Sequence, residues 1–190
     1  LAGSVARNLS RPHRFEVFTP QDEDLHLTQI PGCFARLRMF DPEWQRANGI
    51  TGRVVCMDLD LVVTGPLDDL FDKPEPFTIL QGVNASNPCP FNGSLWAFDA
   101  GYRPDVWTEF TLQAAQAVPF HEFSDDQAWF AQKLPDAGAF TDKDGVYAFC
   151  KPGWPKGHAL PKNARVVAFP GWRDPIGFSH LDWVQDHWRA

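Results

Sequence analysis

The chain has 190 residues, 44% of them hydrophobic and 22% charged, and a formal net charge of −7. This length suits one domain with a sizeable apolar core. Because the charge is negative and no Lys/Arg-rich run occurs, we expect no nucleic-acid partner bound through its phosphates. The apolar stretches are short and interrupted by Asp, Pro or Gly, so we expect no transmembrane segment.

The cysteine pattern does not indicate a zinc site. The four cysteines are Cys33, Cys56, Cys89 and Cys150. They are far apart and form no CxxC pair, so reduced thiols are expected. Since no secretory signal is visible, we expect a cytoplasmic protein. Three Asn-x-Ser triplets keep a secreted origin open as the alternative.

The N-terminal part of the chain predicts a helix, a strand and a second helix. The segment "LAGSVARNLS" is typical of a helix, and "HRFEVFT" (13–19) alternates like a strand. In "PGCFARLRMFDPEW", Phe34, Leu37 and Phe40 recur at spacings of three, and Pro31 suits the first position of a helix.

The middle of the chain predicts three strands. The segment "RVVCMD" (53–58) is apolar on both faces, as in a central strand of a covered sheet. A turn and a short helix, "GPLDDLFD", follow. The segments "FTILQGV" (77–83) and "SLWAFD" (94–99) predict two further strands, joined by a loop rich in Asn and Pro of the kind that often carries function.

The last part of the chain predicts helices and strands in alternation. The segment "RPDVWTEFTLQAAQAV" (103–118) has one apolar helical stripe, and "SDDQ" predicts a capping box that starts a helix at Ser124. Strands are predicted for "GVYAFC" and "ARVVAF", and a closing helix for "HLDWVQDHW". This alternation predicts an α/β sandwich with a largely parallel sheet.

Asp58 and Asp60 stand one residue apart, directly after an apolar strand and before the apolar triplet 61–63. Ligands of open α/β sheets collect at the carboxyl ends of the strands, where this pair lies. Carboxylates in apolar surroundings need partners, and Mg²⁺ or Mn²⁺ accepts such oxygen ligands. The pair therefore indicates either the start of a turn or a metal site.

The wider segment "VVCMDLDLVVTGPLDDLF" resembles the Asp-x-Asp segment of GT-A-fold glycosyltransferases, especially the branch of glycogenin and the bacterial α-galactosyltransferases of lipopolysaccharide synthesis. Three later stretches, "PFNGSLWAFDAG", "SDDQAWF" and "VVAFPGWRDP", follow in the family's order and extend the resemblance over most of residues 10–176. The resemblance implies a GT-A-like α/β/α sandwich with a mostly parallel central sheet. It also implies a single domain over residues 1–190 that lacks the family's first N-terminal strand.

The resemblance also implies an activity, the metal-dependent transfer of a sugar from a nucleotide-diphosphate donor, expected to be UDP-linked, with retention of anomeric configuration. The acceptor could be a glycan, a lipid-linked sugar or a small molecule. Asp58 and Asp60 would bind Mn²⁺ or Mg²⁺. The residues implied in donor binding are Asp58, Asn92, Gly93, Asp126, Gly171 and Arg173.

The implied catalytic residues are Asp126, on the donor hydroxyls, and Gln127, near the anomeric carbon. Asp125 is the neighbour that could exchange roles with Asp126. Asn92 can donate to and accept from a sugar hydroxyl, and Gly93 lets the backbone approach closely. An Asn-Gly pair is equally typical of a tight turn, so that interpretation of the two residues stays open.

The sequence departs from the family at two positions. The family's third metal ligand, a histidine, falls at Ala168, and the lysine that holds the diphosphate falls at Asp174. Arg173 could take over the phosphate contact, although its planar fork differs from the point charge of a lysine. His180 or a water could complete the metal site.

The chain is also rich in tryptophan, with eight residues. Sugars have apolar faces that stack on indole rings, so Trp154 or Trp172, in loops rich in Gly and Pro, could line an acceptor site. We expect Trp96, Trp107 and Trp129, which lie on regular elements, to pack in the core.

Two alternatives to a transferase remain. The segment "MDLDLVVTG" also resembles the nucleophile segment of haloacid-dehalogenase-like phosphatases, in which Asp58 would attack a phosphoryl group and Asp60 would act as acid and base. The second alternative is a degenerate transferase fold that binds a glycan or a partner protein, and it is suggested by Ala168 and Asp174.

Overall fold

The computed structural model describes residues 1–18, 32–85, 87–120 and 125–188. The α-helices are α1 (Ala2–Asn8), α2 (Pro42–Ala47), α3 (Asp68–Phe71), α4 (Asp105–Thr108), α5 (Leu112–Gln116), α6 (Asp126–Lys133) and α7 (Asp182–His187). The strands are β1 (Arg53–Met57), β2 (Val62–Val63), β3 (Phe77–Gln81), β4 (Phe91–Asp99), β5 (Gly138–Phe140), β6 (Val146–Ala148) and β7 (Val166–Ala168). Short 3₁₀ helices cover Gly32–Phe40, Asp142–Asp144 and Pro175–Phe178.

The described strands form two sheets, one with the order β1-β4-β3-β5 and one with the order β2-β7-β6. The β1–β4, β3–β4 and β2–β7 pairings are antiparallel, and the β3–β5 and β6–β7 pairings are parallel. The prediction of a mostly parallel central sheet is therefore wrong for the strands described. Apolar residues on both faces of a strand show that both faces are covered, and they do not show which way its neighbours run.

The two faces of the larger sheet pack against different layers. Along β4, Trp96 and Phe98 lie in a first apolar cluster with the 3₁₀ helix at 32–40, α2 and α6. Leu95 and Ala97, which alternate with them along the strand, lie in a second cluster with α1, α3 and the smaller sheet. This alternation is what the pleat of a strand dictates. The second layer combines a sheet with helices, so the described elements leave the predicted α/β/α sandwich unconfirmed.

Most of the predicted strands and the terminal helices are found. Strands occur within the segments predicted around 53, 77, 94, 146 and 166, and helices occur at both ends of the described chain. The strand predicted over 13–19 is not found, since residues 12–18 have no regular structure and Thr19 lies outside the described residues. Pro31 and the capping residue Ser124 also lie outside them.

Two predicted helices have a different form. The segment after residue 31 forms a 3₁₀ helix. The single helix predicted over 103–118 is divided into α4 and α5, because the Thr111 side chain accepts a hydrogen bond from the Ala114 amide and starts a new helix. None of the helices within the described ranges has the length and apolar character that crossing a lipid bilayer requires.

Phe40 fixes the 3₁₀ helix on the larger sheet. Its ring is 1% exposed and stacks on Phe98 and Trp96, with ring centroids 4.7 and 5.7 Å away. Phe130 of α6 contacts the same ring at 5.6 Å. Since Phe40 ends the helix that carries Arg36, this packing sets where the Arg36 side chain can reach.

We expect Phe40→Ala to lower the free energy of unfolding by about 3–5 kcal/mol, because the lost ring leaves a cavity among aromatic side chains. Urea unfolding followed by circular dichroism measures this change. Ile176→Ala, at a side chain that is 66% exposed, is the control and should stay within about 0.5 kcal/mol of wild type. Equal stability of the two variants would contradict the role given to Phe40.

Candidate functional site

Asp58 and Asp60 lie in a tight turn that leads from the larger sheet to the smaller one. The Asp58 amide donates to the Ser94 carbonyl of β4 at 2.9 Å, and the Asp58 carbonyl accepts from the Leu61 amide at 3.3 Å. Strand β2 of the smaller sheet begins directly afterwards, at Val62. The turn and the site interpretations of the pair are therefore compatible, since the turn presents both carboxylates at the end of β1.

The guanidinium of Arg36 joins the turn to two other elements. Its Nη1 atom lies 2.5 Å from Asp58 Oδ1 and donates to the Gly93 carbonyl at 3.0 Å. Its Nη2 atom lies 2.7 Å from Asp126 Oδ2. The planar fork of an arginine suits such a bridge between two carboxylates. The carboxylates of Asp58 and Asp126 in turn hold the pKa of Arg36 above its usual range, against the effect of burial.

The sequence prediction missed Arg36. Within "FARLRMF" it lies between the buried residues Ala35 and Leu37, and one arginine in an apolar segment forms no motif. The available signal was electrostatic, because carboxylates predicted to converge in a partly buried site need a cation from elsewhere in the chain.

Asp126 is the first residue of α6, and its side chain is 2% exposed. Burial raises its pKa to about 7, although the nearby Arg36 cation opposes this shift. The Asp126 Oδ2 atom lies close to Arg36 but receives no well-directed hydrogen bond within the described part of the chain. The side chain of Asp125 instead caps the helix by accepting from the Ala128 amide at 3.0 Å. Of the two neighbours, Asp126 thus belongs to the site.

Gly93 and Gln127 complete the contact between β4 and α6. The Gly93 amide donates to Gln127 Oε1 at 3.2 Å. A Cβ atom at Gly93 would lie 2.8 Å from Arg36 Nη2 and 3.4 Å from Asp126 Oδ1. A side chain at position 93 would therefore displace the Arg36 guanidinium from this position.

Asn92 serves the local backbone. The β3–β4 register jumps from the Ile79–Trp96 pair to the Leu80–Asn92 pair, so residues 93–95 bulge out of β4. The Asn92 Oδ1 atom accepts from the Ser94 amide at 3.1 Å inside this bulge. Bulges re-aim neighbouring groups, and this one brings the Gly93 carbonyl and amide to Arg36 and Gln127.

Asp60 has the features of a cation ligand. Its Oδ1 atom is buried and accepts no hydrogen bond from the residues the structure describes. Burial, and after it the charges of Asp58 and Asp174, raise its pKa to about 6. A nearby divalent cation would offset both the burial and the negative charges that raise this pKa.

The third metal ligand of the resembled family has no counterpart. Ala168 is fully buried in β7 and pairs with Ala148 of β6. Over the described ranges, no three His, Cys, Asp or Glu side chains converge as a metal site, so His180 does not supply the missing ligand there. Mg²⁺ is commonly held by one or two carboxylates with waters and substrate phosphates. The two aspartates fit that arrangement.

Gly171 and Arg173 follow strand β7 at the end of the smaller sheet where Asp60 precedes β2. Within the described residues, no contact joins them to the Arg36 cluster. Strand β7 runs antiparallel to β2, with Val167 opposite Val62, so the residues after Ala168 emerge beside the Asp60 turn. The Arg173 guanidinium lies over its neighbouring indole, 5.0 Å from the centroid of the Trp172 ring.

A cleft of about 290 Å³ lies elsewhere. Lys73, Lys143 and Arg165 contribute to its lining. Arg165 precedes β7, whereas Gly171 follows it, so the cleft lies at the opposite end of that strand from Gly171 and Arg173. It does not include any residue predicted as catalytic, donor-binding or metal-binding.

No protein-family model matches this sequence. A search of curated proteins finds no match either. The fold, however, is similar to that of the galactosyltransferase LgtC, solved in complex with donor and acceptor sugar analogs. The TM-score is 0.53, the sequence identity is 11%, and the match covers 88% of this chain and 74% of that one. The fold is therefore distantly glycosyltransferase-like, which confirms the coarse form of the fold prediction.

Asp126 makes the stability of the protein depend on pH. Its pKa is about 7 in the folded chain and 3.8 in an ordinary aspartate, so between these values the folded state holds a proton that the unfolded state has released. This stabilising contribution is fully present below the unfolded pKa and is lost as pH rises through the folded pKa. We expect the free energy of unfolding to fall as the pH rises from about 4 to about 7.

Urea unfolding across this pH range measures the effect. Asp126→Asn should make the profile shallower, while the raised pKa of Asp60 leaves a smaller slope in the same direction. Asp69→Asn, on the exposed surface of α3, is the control and should keep the wild-type slope. An Asp126→Asn profile as steep as that of wild type would show that another group carries the dependence.

Proposed function

We propose that this protein transfers a glycosyl group from a nucleotide-diphosphate sugar, expected to be UDP-linked, to a glycan, lipid-linked sugar or small-molecule acceptor. Retention of anomeric configuration is part of the proposal and follows from the resemblance of the Asp-x-Asp segment. The observation that carries the proposal is the cluster of Asp58, Gly93, Asp126 and Gln127 around Arg36, on a glycosyltransferase-like fold.

The charge of the donor explains why a cation belongs in this proposal. A carboxylate and a phosphate about 4 Å apart repel each other by about 4 kcal/mol at an effective dielectric constant of 20. Mn²⁺ or Mg²⁺ held by Asp58 and Asp60 would remove this repulsion and, as a Lewis acid, stabilise the departing diphosphate. The buried Oδ1 atom of Asp60 accepts no hydrogen bond from the described residues, and such a cation would be its partner.

The remaining residues would position the sugar. Arg36 orients the Asp58 and Asp126 carboxylates, which can accept hydrogen bonds from sugar hydroxyls. The Gly93 amide fixes Gln127 Oε1, so this side chain is oriented before a donor binds and could lie at the anomeric carbon. Among the residues that the structure describes, no glutamate contacts this cluster as a catalytic base. The proposed mechanism therefore relies on positioning and on stabilising the leaving group.

The phosphatase alternative has less support. The fold is similar to that of a galactosyltransferase, which favours a transferase. Release of phosphate from sugar phosphates in the absence of an acceptor would support the phosphatase.

Asp60→Ala should abolish metal-dependent hydrolysis of the donor, because one of only two carboxylates for the cation is lost. The donor is first found by screening nucleotide sugars for hydrolysis in the presence of Mn²⁺. Circular dichroism should show an intact fold, and calorimetry should show weaker Mn²⁺ binding. Asp69→Ala, which removes an exposed carboxylate outside the cluster, is the matched control. Unchanged turnover and Mn²⁺ affinity in Asp60→Ala would disprove the metal assignment.

Arg36→Lys should lower kcat/KM for donor hydrolysis by at least about tenfold, equivalent to ~1.4 kcal/mol. A single ammonium group cannot reproduce the fork that contacts Asp58, Gly93 and Asp126 together. Arg38→Lys is the matched control, because Arg38 belongs to the same 3₁₀ helix and lies over the Trp107 ring instead. Equal kcat/KM values for the two variants would contradict the central role of Arg36.

Calorimetry with UDP, with and without Mn²⁺, separates the transferase from the degenerate binding module. Metal-dependent UDP binding supports the transferase. Its absence would overturn the proposed function and leave the binding module as the better interpretation.

A further inference from the structure

Trp172 is the most exposed of the large hydrophobic side chains described, at 83% exposure. Two others of this small group, Leu59 at 64% and Ile176 at 66%, lie in the two segments that meet at Asp60. An indole that is this exposed buries little apolar surface against the protein, so packing does not explain its presence. Its position therefore requires an explanation.

The strand register places Trp172 at the edge of the candidate site. Strand β2 begins two residues after Asp60, and Val62 pairs with Val167 of the antiparallel strand β7. The chain that leaves β7 after Ala168 therefore passes Asp60 before it reaches Trp172. The charge of Asp174, two residues further on, acts on the Asp60 carboxylate and confirms that these segments are close.

The C-terminal aromatic core is complete without Trp172. Phe149 stacks on Phe169 with ring centroids 4.9 Å apart, and Trp154 and Phe178 contact Phe149 at 5.0 and 4.8 Å. Trp154, the other tryptophan predicted for an acceptor site, is thus part of this packing. Trp172 has no ring contact of this kind within the described ranges, and its described neighbour is the Arg173 guanidinium.

We propose that Trp172 is the stacking platform for a sugar ring of the acceptor. This inference rests on the proposed function and narrows the acceptor to a glycan. Arg173 lies over one face of the indole, and the exposure of the side chain leaves ring surface for a ligand. The C–H face of a pyranose matches such a surface, and the indole N–H can donate to a hydroxyl.

The charges around Trp172 favour a sugar over an apolar chain. Arg173 and Asp174 follow Trp172 directly, and their polar groups suit the hydroxyls around a sugar ring. Asp174 Oδ1 already accepts from the Ile176 amide at 2.8 Å, so an alkyl chain would chiefly leave the Arg173 guanidinium without a hydrogen-bond partner when it displaced the water there. Leu59 and Ile176 are single apolar side chains that would border the bound ring.

The first experiment measures binding of fluorescently labelled protein to an array of immobilised oligosaccharides. We expect wild type to bind a subset of glycans, Trp172→Ala to lose about tenfold or more in apparent affinity, and Trp172→Phe to recover part of the loss. Leu112→Ala, at a 40% exposed side chain on α5, is the matched control and should bind like wild type.

The second experiment measures tryptophan emission with the best oligosaccharide from the array. The spectrum of wild type minus that of Trp172→Phe isolates the exposed indole, and its emission should shift to shorter wavelength when a sugar covers the ring. A purely structural role for Trp172 would not produce this shift.

The inference is overturned if wild type binds no glycan, if Trp172→Ala binds glycans as tightly as wild type, or if immobilised alkyl chains alone are bound. Hydrolysis of nucleotide sugars by wild type reports separately on the proposed function. Donor hydrolysis without any effect of Trp172 on glycan binding would refute only the acceptor site. Trp172-dependent glycan binding without donor hydrolysis or UDP binding would refute only the transferase.

Discussion

The site depends on one positively charged side chain, that of Arg36. Arg36 lies between the carboxylates of Asp58 and Asp126 and also donates to the backbone of Gly93. Asp126 is almost fully buried, and a buried carboxylate that loses its partner is strongly destabilising. The arginine therefore decides whether the turn after β1, the bulge of β4 and the start of α6 can be close together. Features that are far apart along the chain contribute to the position of Arg36. Gly93 leaves space for its guanidinium, and the aromatic packing of Phe40 fixes the helix that carries it.

Much of the site could be predicted from the sequence because it rests on local patterns. An Asp-x-Asp pair after an apolar strand, an Asn-Gly pair before another, and an Asp-Gln pair at a helix start are each visible within a few residues. The end of β1 predicts a site at the Asp-x-Asp pair, and the resemblance to glycosyltransferases implies that the other two pairs join it. The structure brings Asp58, Gly93, Asp126 and Gln127 into one connected cluster, as that reasoning implied.

The remaining features depend on contacts between distant segments. The direction of the strands around β4 is set by which segments pair, and an apolar run such as 95–98 suits parallel and antiparallel neighbours alike. Arg36 is one residue in an apolar segment, and its role depends on carboxylates that lie 22 and 90 positions further along the chain. The roles of Asp125 and Asp126 could not be told apart by type, because both are acidic and both suit a helix start.

The turn that carries Asp58 and Asp60 has a mechanical consequence. Asp58 is tied through its amide to β4 of the larger sheet, whereas Asp60 leads into β2 of the smaller one. A cation held by both carboxylates would act as a clamp between the two sheets. Binding of the cation would stabilise the folded state by an amount that grows with the logarithm of the free cation concentration above its Kd. Binding of the cation at the two aspartates and the stability of the folded domain would then be thermodynamically linked.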